Sequence, residues 1–274
     1  MNYVRVMPMA GNASAFLDRG VPYGFRATLV GERAEPGKYS ALLGEHGIRA
    51  EVTATAGAAL HRYTFPAAAI VASGGGTVAV DLTAAGLIME GHTQPFSGVN
   101  LTISRTATTT TTMARSGGGG ADSDATWVIS GSLLTPPPAG ITPGPDAAGL
   151  TMFVHIELGA GLSPAGVWPP GVTPAPNCSA LPLSMSNTSG NTRRYCAYIE
   201  LNAQQIATLG GSVGVAVSVD PTRPVAELAV GFSLRSVADA EASVREATAV
   251  GFDAVADAAW REWDTTLGRI NVRR

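Results

Sequence analysis

Apolar and polar residues alternate with a period of two through most of the chain. The clearest run places Ile48, Ala50, Val52 and Ala54 against Arg49, Glu51, Thr53 and Thr55. That spacing gives a β-strand one apolar and one polar face. A second run sets His61, Tyr63 and Phe65 against Leu60, Arg62 and Thr64, and Gly57 to Ala59 lie between the two at a length that suits a hairpin. Ahead of both, Pro36-Gly37 signals a turn, and Tyr39 to Leu43 reads as a further strand. The pattern predicts an antiparallel sheet with one buried face.

The same reading extends in both directions. Val4 and Val6 alternate with Tyr3 and Arg5, a short strand expected to end near Met7 because Pro8 has no backbone donor. Ala67 to Ala72 and Thr77 to Leu82 flank Gly74-Gly75-Gly76 and read as two strands. Leu87 to Glu90, Val99 to Arg105, Trp127 to Leu134, Leu150 to Leu158, Ala197 to Leu201, Val213 to Val219 and Ala226 to Leu234 continue the series. Thr108 to Thr112 and Gly117 to Gly120 form a low-complexity insert, expected to be a mobile loop because it has little apolar area to offset its ordering entropy. Pro136 to Pro145 and Ser163 to Pro182 read as proline-rich loops, the second holding Trp168.

After Ser236 the period changes. Ser236 and Asp239 have capping-box spacing, and Val237, Ala240, Val244 and Ala247 follow at helical intervals. Gly251 breaks that helix. Phe252, Val255, Ala259, Trp263 and Leu267 mark one face of a second, which Gly268 ends. The predicted fold is mainly β: a large antiparallel β-sandwich over residues 1–235, then two C-terminal α-helices over residues 236–274.

A chain of 274 residues can bury a substantial core. Only 14% of its residues are charged, against about 25% in typical proteins, and the net charge is −3 with no basic stripe, which argues against a nucleic-acid partner. No apolar run reaches the roughly 18 residues of a membrane span, and Met1 to Pro22 lacks the pattern of a signal peptide. Cys178 and Cys196 either pair in an oxidising compartment or stand as two thiols, and the residues leave both open. Sequons at Asn12, Asn100, Asn177 and Asn187 lean, with the cysteines, towards a secretory or extracellular setting and a glycoprotein.

Motifs of chemistry are sparse. Glu32 and Glu35 beside a turn read as surface charge, and His61 and Arg62 as a structural pairing on a strand. His155 and Glu157 share a strand face without the further ligands that a metal site needs. Asp122 and Asp124 lack the glycine and distal glutamate of a calcium loop. The glycine runs are followed by no Gly-Lys-Ser/Thr. Trp168, in a loop, is the candidate for stacking on a sugar. Trp260 and Trp263 are assigned to a helix face packed on the sandwich.

One resemblance adds to this reading. Glu32, Ala34, Pro36, Gly37 and Tyr39, then Ile48, Ala50, Glu51, Thr53 and Ala54, then His61, Arg62, Tyr63, Phe65 and Pro66 resemble the N-terminal domain of glycoside hydrolase family 92. Met7-Pro8 with Gly11 and the stretch from Glu227 to Val237 are similar to other parts of the same domain, and Phe252-Asp253, Trp260 or Trp263, and Leu267-Gly268-Arg269-Ile270 to the helical linker that joins that domain to the next in the family. The family comprises calcium-dependent exo-acting α-mannosidases. The resemblance implies an accessory sandwich that packs against a catalytic helical barrel, shapes its site for mannose-containing glycans, and is inactive alone. It further implies that the chain begins in mid-domain and ends where the barrel would start. Calcium and the catalytic carboxylates are then expected in the barrel, with no catalytic residue or cofactor in this chain. A stand-alone carbohydrate-binding or adhesion module is the alternative.

Overall fold

The computed structural model describes residues 4–18, 27–44, 46–82, 98–107, 125–134, 150–168, 196–202, 204 and 213–269. Two antiparallel sheets stack face to face. The smaller has four strands in the order β1 (Arg5–Ala10), β6 (Gly76–Asp81), β12 (Gly214–Val219) and β10 (Leu162–Trp168). The larger has nine. Its order is β11 (Cys196–Asn202), β7 (Gly98–Ala107), β8 (Ala125–Leu134), β9 (Thr151–Leu158), β13 (Val225–Ser233), β5 (Ala58–Thr64), β4 (Ile48–Ala54), β3 (Lys38–Leu43) and β2 (Leu29–Glu35).

The core lies between the sheets. Ile48, Tyr63, Ile129, Val154, Ile156 and Leu228 from the larger sheet meet Val78, Val80, Val215 and Val217 from the smaller. These are the alternate positions that the period-two pattern assigns to one face. A fully buried aliphatic of this kind contributes about 1.5–3 kcal/mol.

Two hairpins fall where the turn residues place them. Pro36-Gly37 joins β2 to β3 with Gly37 at φ 81°, and Thr55 closes the β4–β5 turn through a 2.8 Å bond from its N–H to the Ala58 carbonyl. In both, the strands beyond the turn pair in the register that sets like faces together.

The sheet with one buried face proves to be covered on both. Glu51 and Thr53, on the polar face of β4, are 7% and 3% exposed. Two helices lie over that face: α3 (Val237–Val250) packs on β5, β9 and β13, and α4 (Phe252–Leu267) begins over β3, β4 and β5. Alternation reports which residues share a face, and it leaves open what covers the polar one.

Three local expectations are corrected. β1 runs through Pro8 to Ala10, because it is an edge strand paired only with β6, where a missing outward N–H costs no ladder bond. Ala67–Ser73 is a helix, α2, bounded by Pro66 at its N-cap and by Gly74 at φ 73°; its alanines favour helix over strand. The start of the Ser163 to Pro182 stretch is strand β10, with an irregularity between Pro164 and Gly166 that accommodates the proline. A short helix, α1 (Ala13–Asp18), covers the outer face of the small sheet. The inserts expected as loops at 108–112, 117–120 and 136–145 lie outside the described residues, as do Leu87 to Glu90, Asp122 and Asp124.

Candidate functional site

A row of charges crosses the outer face of the larger sheet beneath the start of α4. Cross-strand register aligns Glu227 on β13, Arg62 on β5 and Glu51 on β4. Arg62 Nε donates to Glu227 Oε1 at 2.6 Å. Its Nη1 and Nη2 donate to Asp253 Oδ1 and Oδ2 at 2.9 and 3.0 Å, a bidentate fork. Lys38 Nζ lies 2.7 Å from Glu51 Oε1, and Arg49 is 3.4 Å from the same oxygen. The Phe252 ring sits between two cations, with the Arg62 guanidinium carbon 4.2 Å and Lys38 Nζ 5.6 Å from its centroid.

These charges are committed to one another. Hydrogen bonding to Asp253, and then to Glu227, raises the Arg62 pKa further; the same bond from Arg62 holds Asp253 below the usual carboxylate range. Burial pushes the Glu51 carboxyl up, but Lys38 and Arg49 outweigh it and leave it low. Glycoside hydrolysis by inversion needs one carboxyl kept protonated as an acid. The row holds Asp253 and Glu51 ionised and pairs each of its carboxylates with a cation, which suits a joint between sheet and helix. Among the described residues no group of three or more His, Cys, Asp or Glu is gathered to hold a metal ion.

Beyond this joint α4 leaves the sheet. Phe252, Val255 and Ala256 are buried, and the Pro36-Gly37 turn nests against the helix: a Cβ on Gly37 would lie 2.8 Å from the Trp260 nitrogen. From Trp260 onwards every described residue of the helix is exposed. Trp260, Trp263 and Leu267, at spacings of three and four, form an apolar stripe that is 48%, 51% and 56% exposed. The expectation that both tryptophans pack on the sandwich is therefore overturned. The helix backbone still meets the Pro36-Gly37 turn at Trp260, but the side chains of the stripe are left largely uncovered.

Trp168 is also corrected. It ends strand β10 with no exposed surface, and it packs with Ala13, Ala79 and Ala216 beneath α1. A Cβ on Gly214 would lie 2.1 Å from its ring, so a side-chain-free neighbour makes the space that it fills. A ring sealed in this way has no face to offer a sugar. Asn12 and Asn100 are exposed, Asn12 in the turn before α1 and Asn100 on β7. Asn177, Asn187 and Cys178 lie outside the described residues, and Cys196 opens β11.

Other singled-out residues have local partners. Glu32 accepts from the Tyr39 hydroxyl at 2.8 Å, and Glu35 pairs with Arg33. His61 faces the interior, with Nδ1 2.9 Å from the Tyr63 hydroxyl, and its burial pushes its pKa down to about 4. His155 Nε2 is 3.5 Å from Glu157 Oε1. Sequence reasoning missed Lys38, Glu51, Glu227 and Asp253 as parts of one joint. Their signal was cross-strand, and only the register exposes it.

A family model described as the glycosyl hydrolase family 92 N-terminal domain matches residues 1–216. No curated protein matches the chain. Among solved structures, the family GH92 α-mannosidase BT3965 from Bacteroides thetaiotaomicron is similar over 100% of this chain and 30% of its own, with a TM-score of 0.58 and 15% identity. The family GH92 inverting mannosidase BT2199 from Bacteroides thetaiotaomicron VPI-5482 gives 0.54 and 15% over 98% of this chain and 27% of its own. A GH92 family glycosyl hydrolase, ccman5, gives 0.55 and 18% over 98% and 28%. These identities speak for the fold. The chain spans about 30% of the length of the solved enzymes that it matches.

Proposed function

The chain belongs to the glycosyl hydrolase family 92 N-terminal domain family, and on that premise we propose that it is the accessory sandwich of an α-mannosidase. In this reading α4 is the connection on which a catalytic helical domain sits. That domain supplies the acid, the base and any calcium, and the sandwich helps to shape a site for mannose-containing glycans. The observation that carries the reading is the bare stripe Trp260, Trp263 and Leu267, on a helix whose first turn is fixed to the sheet by Arg62. Large apolar side chains held in water on a rigid rod mark a surface with a partner. The exposed sequons Asn12 and Asn100 support a secretory setting.

The test is complementation. The purified chain alone, with calcium, is expected to release nothing from an aryl α-mannoside, whereas mixing it with a family 92 helical domain is expected to restore turnover. The double variant W260S/W263S should weaken that restoration about tenfold or more. Turnover by the chain alone, or full restoration by the double variant, would sink the reading.

A further inference from the structure

The interior rows change character at one end of the sandwich. Along β7 they run Val99, Leu101, Ile103 and then Arg105; along β8 they run Leu133, Ile129 and then Trp127. Arg105 and Trp127 are cross-strand partners, with the guanidinium carbon 5.9 Å from the indole centroid. Trp127 packs on the core and stays partly exposed. Where the core ends, an amphipathic ring and a cation replace aliphatic side chains.

Two turns close the far side. Asp220 N–H donates to the Gly161 carbonyl at 2.8 Å, tying the β12–β13 turn to the β9–β10 turn, and Arg223 N–H donates to the Asp220 carbonyl at 2.9 Å. The Asp220 carboxylate is spent within its own turn: it accepts from Thr222 Oγ1 at 2.7 Å and from Thr222 N–H at 2.9 Å, and these bonds hold its pKa low. The guanidinium of Arg223 stands exposed beside the Asp220 carboxylate, whose pKa its charge helps to lower. The open cleft between them has a volume of about 490 Å³, within the usual range of small-ligand sites.

We propose that this cleft binds an acidic saccharide, a sugar ring that carries a carboxylate or a phosphate. Trp127 offers the flat apolar wall on which the ring lies, and Arg223 meets the oxyanion with a planar fork suited to carboxylate and phosphate alike. A neutral sugar would give the Arg223 fork no anionic partner beyond Asp220, and a bare anion would leave the exposed part of the indole uncovered. The geometry of the turns is fixed by backbone bonds before any ligand arrives, which lowers the ordering cost of binding. The proposal stands apart from the role of α4 and does not need a catalytic domain.

The full chain is titrated at low salt with glucuronate, mannose 6-phosphate, mannose and inorganic phosphate. Calorimetry and the Trp127 indole N–H resonance, assigned with W127F, are followed. Either acidic sugar is expected to bind and to shift that resonance, with mannose and inorganic phosphate each about tenfold weaker or more. Whichever acidic sugar binds more tightly identifies the oxyanion. R223A, at an exposed turn position that the fold tolerates, is expected to weaken the acidic sugars about tenfold and to leave mannose unchanged. The proposal is overturned if neither acidic sugar binds, if inorganic phosphate or mannose binds as tightly, or if R223A changes nothing.

Discussion

The two C-terminal helices share a pattern and differ in fate. Both are amphipathic, both follow a break that the residues announce, and a single glycine separates them. α3 is seated along its length: Ala240, Val244 and Ala247 are buried against β5, β9 and β13. α4 is seated for its first turns only, and then carries Trp260, Trp263 and Leu267 into solvent. An apolar stripe marks the face that a helix can bury. Whether the sheet beneath covers it depends on where the sheet ends, which the helix's own residues do not encode.

The sharpest way to break the contrast acts on α3. Gly231 lets the helix lie against β13, since a Cβ there would stand 2.4 Å from the Ala240 carbonyl oxygen and 2.6 Å from Val244 Cγ2. G231A is expected to cost about 2–3 kcal/mol in urea denaturation.

A pH series separates what the helices share from what they do not. The His61 pKa is depressed by burial from 6.5 to about 4, so the unfolded chain binds the proton more readily. Stability is present above 6.5 and is lost as pH falls from there towards 4, by about 3 kcal/mol, for the sheet beneath both helices. H61Q should flatten that slope in a plot of Tm against pH. Asp253 and Glu51 are also depressed, so the anchoring they give α4 is present above their unfolded values and fades as pH drops through their folded ones. Hydrogen exchange in acid should therefore release the start of α4 before α3.

R62A comes next in size. It strips the fork from Asp253 and the bond from Glu227, and because both acids are largely exposed the loss is about 1 kcal/mol. Exchange protection should fall in the first turn of α4 and hold in α3. Smallest is the W260S/W263S pair, expected to shift stability by less than about 0.5 kcal/mol in the isolated chain. A larger loss would show that the stripe is covered after all.

Much of the fold was legible. Strands whose two faces differ chemically, such as β4 and β5, announced themselves, and Pro36-Gly37 and Gly251 marked real boundaries. Ala67–Ser73 was misread because a short apolar run has no period long enough to tell helix from strand. Trp168 was misjudged because the prolines around it suggested a loop, while an edge strand tolerates Pro164 through an irregular register. The joint around Arg62 was hidden for a different reason. Its members are spread from Lys38 to Asp253, and no local pattern can join residues that meet only through the sheet.

The fork between Arg62 and Asp253 also fixes a direction. A helix of 16 residues is a rod about 24 Å long, so a tilt of about five degrees at its base moves its tip by about 2 Å. That displacement is enough to misalign two surfaces meant to interlock. A modest ion pair at the root of the rod thus acts as a sighting device, and its worth is measured less in stability than in the accuracy with which something distant is aimed.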